Sequence, residues 1–153
     1  MSIIMKYLDT RSATIAAIKD YRNMEFILQH TKEEIAEESL RGDGYRSPNW
    51  DGMPHAHNPT AGEDRIIAKL DAIQLLKERY RDAVEYMEWY QPAWEMLSED
   101  DRFVLETYYG EENVYGSNAI YAIMKQFGIE QTSAYKKKNR ALDRFRLLLF
   151  GKG

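Results

Sequence analysis

Seven of the chain's thirteen glycine and proline residues fall in one stretch, residues 41–62, and this clustering limits what the chain can fold into. The stretch holds Gly42, Gly44, Gly52 and Gly62 together with Pro48, Pro54 and Pro59. Proline has no amide proton to donate and glycine is entropically costly in a helix, so the stretch reads as a long loop separating two helices. Before it, a helix is expected from Asp9 or Thr10 to Leu40. Ile15, Ile18, Tyr21, Met24, Leu28 and Ile35 recur there at mostly helical spacing, interrupted by Glu25 and Lys32. After it, a second helix is expected from Glu63 to Tyr90, with Ile66, Ile73, Tyr80 and Met87 spaced seven apart. The complementary positions Leu70, Lys77, Val84 and Gln91 are half polar, which makes an imperfect amphipathic seam. At 1.5 Å per residue each helix would span roughly 40–45 Å. Matched lengths joined by a loop imply a long antiparallel helical hairpin over residues 1–92. Its apolar stripes read as packing surface, not as a cofactor site, and it is expected to form a homo-oligomer, with a dimer favoured.

Pro92 is expected to bend or break the second helix, and a second domain to occupy residues 93–153. Ser98 followed by Glu99, Asp100 and Asp101 has the form of a helix N-cap with an acidic first turn. That helix carries Phe103, Val104, Leu105 and Tyr108 and should stop at Gly110. A short helix capped by Ser117 or Asn118 follows, with Ile120, Ile123, Met124 and Phe127 on its inner face. Gly128 then supplies a left-handed turn residue and Ile129 fills the corner. Gln131-Thr132-Ser133 opens a last helix whose buried stripe is Ala134, Ala141, Leu142, Phe145 and Leu149. Helix, glycine turn and basic second helix are the parts of a DNA-binding helix-turn-helix. The fold class is therefore all-α.

Charge is distributed to match. The chain has 21 basic and 25 acidic residues, for a net charge of −4, which as an average disfavours a nucleic-acid partner. Residues 131–153 hold Lys136, Lys137, Lys138, Arg140, Arg144, Arg146 and Lys152 against Asp143 alone, so 7 − 1 = +6. The other 130 residues carry 14 − 24 = −10. The positive excess sits on the last helix, where phosphate would be met. Helical phase turns Gln131, Thr132, Ser133, Tyr135, Lys136 and Asn139 toward base edges in the major groove. Lys137, Lys138, Arg140 and Arg144 suit phosphates.

From Leu97 to Leu149 the chain resembles the region-4 helix-turn-helix of sigma factors. Leu97-Ser98-Glu99-Asp100-Asp101-Arg102-Phe103-Val104-Leu105, with Tyr108-Tyr109 at its end, is similar to that family's leading helix. Ser133-Ala134-Tyr135-Lys136-Lys137-Lys138-Asn139-Arg140-Ala141-Leu142 is similar to its recognition helix and the Arg-Ala-Leu that follows. Lys137 departs from the usual apolar residue, so it is expected to snorkel or the helix to be rotated locally. The connection Glu111–Gly116 is longer than usual. Upstream, a long helix, a loop with Asp51-Gly52-Met53-Pro54 and a second helix resemble the phage late transcriptional regulators of the RinA and ArpU type. Nothing resembles the promoter-melting region 2. The resemblance implies double-stranded DNA as partner, with RNA polymerase as a second one, and a regulator acting in the host bacterial cytoplasm. Two alternatives share the same parts: a small-terminase-like DNA-packaging adaptor, and a protein-interaction module whose basic helix binds an acidic partner.

Catalytic and metal chemistry find little support. With no cysteine, thiolate catalysis and thiolate zinc sites are excluded. His55 and His57 flank Ala56 near Asp51, but two histidines with no further ligand fall short of a metal site. Glu33-Glu34, Glu37-Glu38 and Glu111-Glu112 are sequence neighbours and splay apart on a helix. No enzyme activity, cofactor or metal is expected. No stretch is long and apolar enough to cross a membrane, and a soluble cytoplasmic protein is expected.

Overall fold

The computed structural model describes residues 7–41, 60–110 and 116–151, and among them every element is helical. The order is α1 (Thr10–Leu40), α2 (Ala61–Glu95), α3 (Glu99–Leu105), a π-helical turn (Glu106–Gly110), α4 (Gly116–Phe127) and α5 (Gln131–Phe150). Most of the 41–62 loop, the Asp51–Pro54 match, His55, His57, most of the 111–116 connection and Lys152 lie outside the described residues. None of the described helices is long and apolar enough to cross a membrane.

The chain divides into two compact units, one formed by Met1–Asn23 with Tyr86–Gly153, the other by Met24–Glu85. The expected boundary at residues 92/93 is thus displaced. The start of α1 and the end of α2 are built into the same unit as α3, α4 and α5.

Aromatic packing at the end of α2 gives the reason. Tyr90 stacks on Trp94 at 5.7 Å and on Tyr86 at 5.1 Å, and meets the Phe145 ring of α5 edge-on at 5.1 Å. Trp94 also meets Phe145 edge-on, at 5.2 Å. Tyr21 of α1 closes on Tyr90 at 5.3 Å, and the Tyr86 hydroxyl donates to the Ala17 carbonyl. Trp89 donates its indole N–H to the Leu149 carbonyl at 3.1 Å.

The same packing overrides Pro92. α2 continues through it to Glu95, so of the bend or break expected there the break does not occur. Pro92 itself is exposed, while Ala93 and Leu97 beyond it are buried and Tyr90 before it is only 2% exposed. Loss of one backbone hydrogen bond at a helical proline costs about 3 kcal/mol, comparable to what one or two large buried side chains contribute. Burial on both sides of the proline prevails.

The short connections follow local chemistry. Ser98 Oγ accepts the Asp101 amide at 3.2 Å and caps α3. Arg102 donates Nε and Nη2 to the Leu97 carbonyl at 3.1 and 3.0 Å, tying α3 to the end of α2. Gly128, at φ 62°, is in the left-handed region where a Cβ is strained, and the Ile129 amide closes the turn onto the Met124 carbonyl at 3.1 Å. Val104, Leu105, Ile120, Ile123, Ala134, Ala141, Leu142 and Phe145 fill the centre of this unit.

The second unit has little interior. Among its described residues only Thr31 and Ala83 are buried, and Thr31 satisfies its hydroxyl on the Ile27 carbonyl one turn back. Phe26, Leu40, Ile66, Ile67, Leu70 and Leu75 are exposed. The seven-residue seam is therefore unevenly covered: Ile73 and Tyr80 are half-buried, whereas Ile66 and Leu70 are open.

Candidate functional site

α5 is held by one face. Its buried residues are Ala134, Lys138, Ala141, Leu142, Phe145 and Leu149. At 100° per residue, Thr132, Ser133, Lys136, Arg140 and Asp143 fall on the opposite side, and all five are exposed. Gln131 is exposed in the first turn. Lys136 and Arg140, four residues apart, are neighbours on this outward strip and form no ion pair among the described residues.

The other expected contacts are placed differently. Lys138 was expected on phosphate, yet it is 8% exposed, with its ammonium 4.2 Å from the Tyr108 ring centre and 5.4 Å from that of Tyr135. Burial holds this ammonium below the usual lysine pKa, and the nearby Arg11 charge adds to the effect. The physical reason is position. Residue 138 is one turn on from Ala134 and lies on the core side of α5, where two ring faces solvate its charge. Tyr135, expected on bases, is half-buried as one of those rings.

Arg144 was also expected on phosphate; it is exposed, but its guanidinium is engaged by Asp101. Its Nη1 donates to both carboxylate oxygens of Asp101 at 2.8 Å. The Asp101 side chain is only 5% exposed, so this pair joins α3 to α5. Lys137 is half-buried and rests its ammonium 4.3 Å from the Phe127 ring centre.

Asn139 has a partner no local pattern signals. Arg11, 128 residues earlier on the first turn of α1, donates Nη2 to Asn139 Oδ1 at 3.1 Å. Arg146 Nη1 donates to Thr10 Oγ1 at 3.4 Å, a second tether between the same two helices. Thr132, Ser133, Lys136 and Arg140 thus remain on the open strip, Gln131 is exposed in the first turn, Asn139 borders α1, Lys138 and Tyr135 belong to the packing beneath, and Arg144, though exposed, is paired with Asp101.

Beside this strip, an open groove of about 700 Å³ is lined by Met96, Leu97, Leu147 and Leu148, with the Asp101–Arg144 pair at its edge. Among the described residues, no three His, Asp or Glu side chains are grouped as metal ligands. Compared with protein-family models, curated proteins and solved structures, the chain matches none of them.

Proposed function

We propose that this protein is a sequence-specific DNA-binding regulator of transcription, of the phage late-activator kind, that reads duplex DNA with α5. The observation that carries the reading is the pair Lys136 and Arg140: two exposed cations, with no ion pair among the described residues, on the outward strip of a helix fixed from behind by Leu142 and Phe145. α4, the Gly128 turn and α5 serve as the helix-turn-helix. Gln131, Thr132 and Ser133 in the first turn of α5 approach base edges, and Lys136 and Arg140 take phosphates. Residues 24–85 form a helical hairpin that self-associates through the exposed Ile66, Ile67 and Leu70, because two helices with so little interior gain stability by burying that surface against a second copy.

Selection of bound duplexes from a random pool tests this reading. An enriched inverted repeat beside late genes is the expected outcome. Enrichment at a packaging start would replace the regulator by a packaging adaptor, and no enrichment with no duplex retention at moderate salt would end the DNA reading. Lys136→Ala and Arg140→Ala should each lower the salt slope of binding by about one.

A further inference from the structure

Arg11 stands beside α5, and the carboxylate that attracts it, Asp9, is engaged elsewhere. Asp9, two residues before it, is turned to Ser12, accepting its amide at 3.0 Å and its hydroxyl at 2.7 Å. Arg11 forms no ion pair among the described residues. Its charged neighbour on α5 is another cation, Lys138, whose ammonium it helps to hold below the usual lysine pKa. Like charges brought together oppose folding, and a bound anion offsets that repulsion; Asp9 offsets it only in part, since its oxygens are turned to Ser12.

The one contact Arg11 does make fixes what its partner can offer. A guanidinium only donates, so the Asn139 carboxamide must turn its oxygen toward Arg11 and its NH₂ away. Lys136 lies three residues before Asn139 and is its neighbour on the helix surface. Arg11, the Asn139 NH₂ and Lys136 therefore combine two positive charges with a set of hydrogen-bond donors and no acceptor pointing outward. Phosphate oxygens accept and never donate, so this set matches them. The bidentate reading of adenine by Asn139 needs its oxygen as well, and Arg11 already takes one of that oxygen's two lone pairs and turns it toward α1.

We propose that Arg11, from the first turn of α1, is a DNA-phosphate ligand that completes the α5 surface, with Asn139 and Lys136, and that Asn139 contacts backbone and not adenine. This rests on the reading of α5 as a DNA-contacting helix. It adds to that reading a residue from the opposite end of the sequence.

The test is fluorescence anisotropy of the full chain on a mixed-sequence duplex over a salt series, with thermal unfolding as control. Arg11→Ala should weaken binding to all duplexes alike and lower the salt slope by about one, while its unfolding temperature stays at the wild-type value because the side chain is exposed. Arg11→Lys should restore the slope. Asn139→Ala should leave the preferred sequence unchanged. Wild-type affinity and slope in Arg11→Ala, alongside a loss in Lys136→Ala, would overturn the Arg11 proposal and leave the α5 reading intact. Weakened binding with an unchanged slope would also overturn it, by making Arg11 a structural tether only. Wild-type slopes in Arg11→Ala, Lys136→Ala and Arg140→Ala together would remove both proposals.

Discussion

Arg144 sets one guanidinium nitrogen 2.8 Å from both carboxylate oxygens of Asp101, so that the acidic start of α3 and the basic stretch of α5 neutralise each other inside the fold. The Asp101 side chain is 5% exposed and that of Arg144 58%, so the cost of breaking the pair falls on the carboxylate. Arg144→Ala should destabilise the protein by about 1–3 kcal/mol, the cost of a buried charged group left without its partner. Urea unfolding measures this, and Asp101→Ala combined with Arg144→Ala should recover part of the loss. An Arg144→Ala protein as stable as wild type but with a lower salt slope on DNA would return Arg144 to the phosphate face.

Lys138 is solvated by Tyr108 and Tyr135 in place of water. Lys138→Met keeps the length of the stem and its packing and should bind duplexes with the wild-type salt slope. Lys138→Ala leaves a void beneath both rings and should cost about 1–2 kcal/mol in stability. A slope reduced by one in the methionine variant would show that the ammonium reaches DNA after all.

The tyrosine cluster predicts an alkaline limit. Burial, reinforced by neighbouring groups, raises the pKa values of Tyr86, Tyr90 and Tyr109 above the ordinary value of 10.0. Because the folded values exceed the unfolded ones, the stability from keeping these phenols neutral is fully present below pH 10. It is lost as the pH rises beyond that value, where the unfolded chain releases its protons first. Phenolate absorbance followed with helical ellipticity should show these three of the eleven tyrosines ionising only as the helices melt. Complete ionisation near pH 10 with ellipticity intact would contradict the buried cluster.

Pro92 is retained within α2 by the packing of its neighbours, so replacing it should help the helix. Pro92→Ala restores an amide donor for the Glu88 carbonyl, at the expense of a more flexible unfolded chain. A net gain of about 1–2 kcal/mol is expected. Calorimetry checks the sign, and a loss of stability would mean that a bend at Pro92 is needed to seat Tyr90 and Trp94 on Phe145.

Ile66, Ile67 and Leu70 are each more than half exposed on the first turns of α2. Replacing Ile66 and Leu70 by Glu in the full chain should convert a sedimenting dimer or higher oligomer to monomer without loss of the α3–α5 packing. A wild-type chain that sediments as a monomer at high concentration would remove the self-association proposal.

Much of the helical layout was legible in the residues themselves. α1 begins at Thr10 and ends at Leu40, as its apolar periodicity led one to expect. The Ser98 cap, the left-handed Gly128 and the buried stripe of α5 also follow from local rules. Caps, glycine conformation and apolar periodicity act over a few residues, so a local pattern is enough to reveal them.

What the sequence alone determined is thus an all-α class, the ends of α1 and a strongly basic last helix. Tertiary structure decided which of those basic residues are available. Lys136 and Arg140 stay outward, Lys138 is enclosed by two rings, Arg144 is taken by Asp101, and Arg11 is brought in from 128 residues away. It also carried α2 through Pro92, because burial of Tyr90, Ala93 and Leu97 outweighs one missing hydrogen bond. Charge and helix propensity are properties of single residues. The partners that neutralise a charge, or hold a helix across a proline, come from elements distant in the chain, and only packing brings them together.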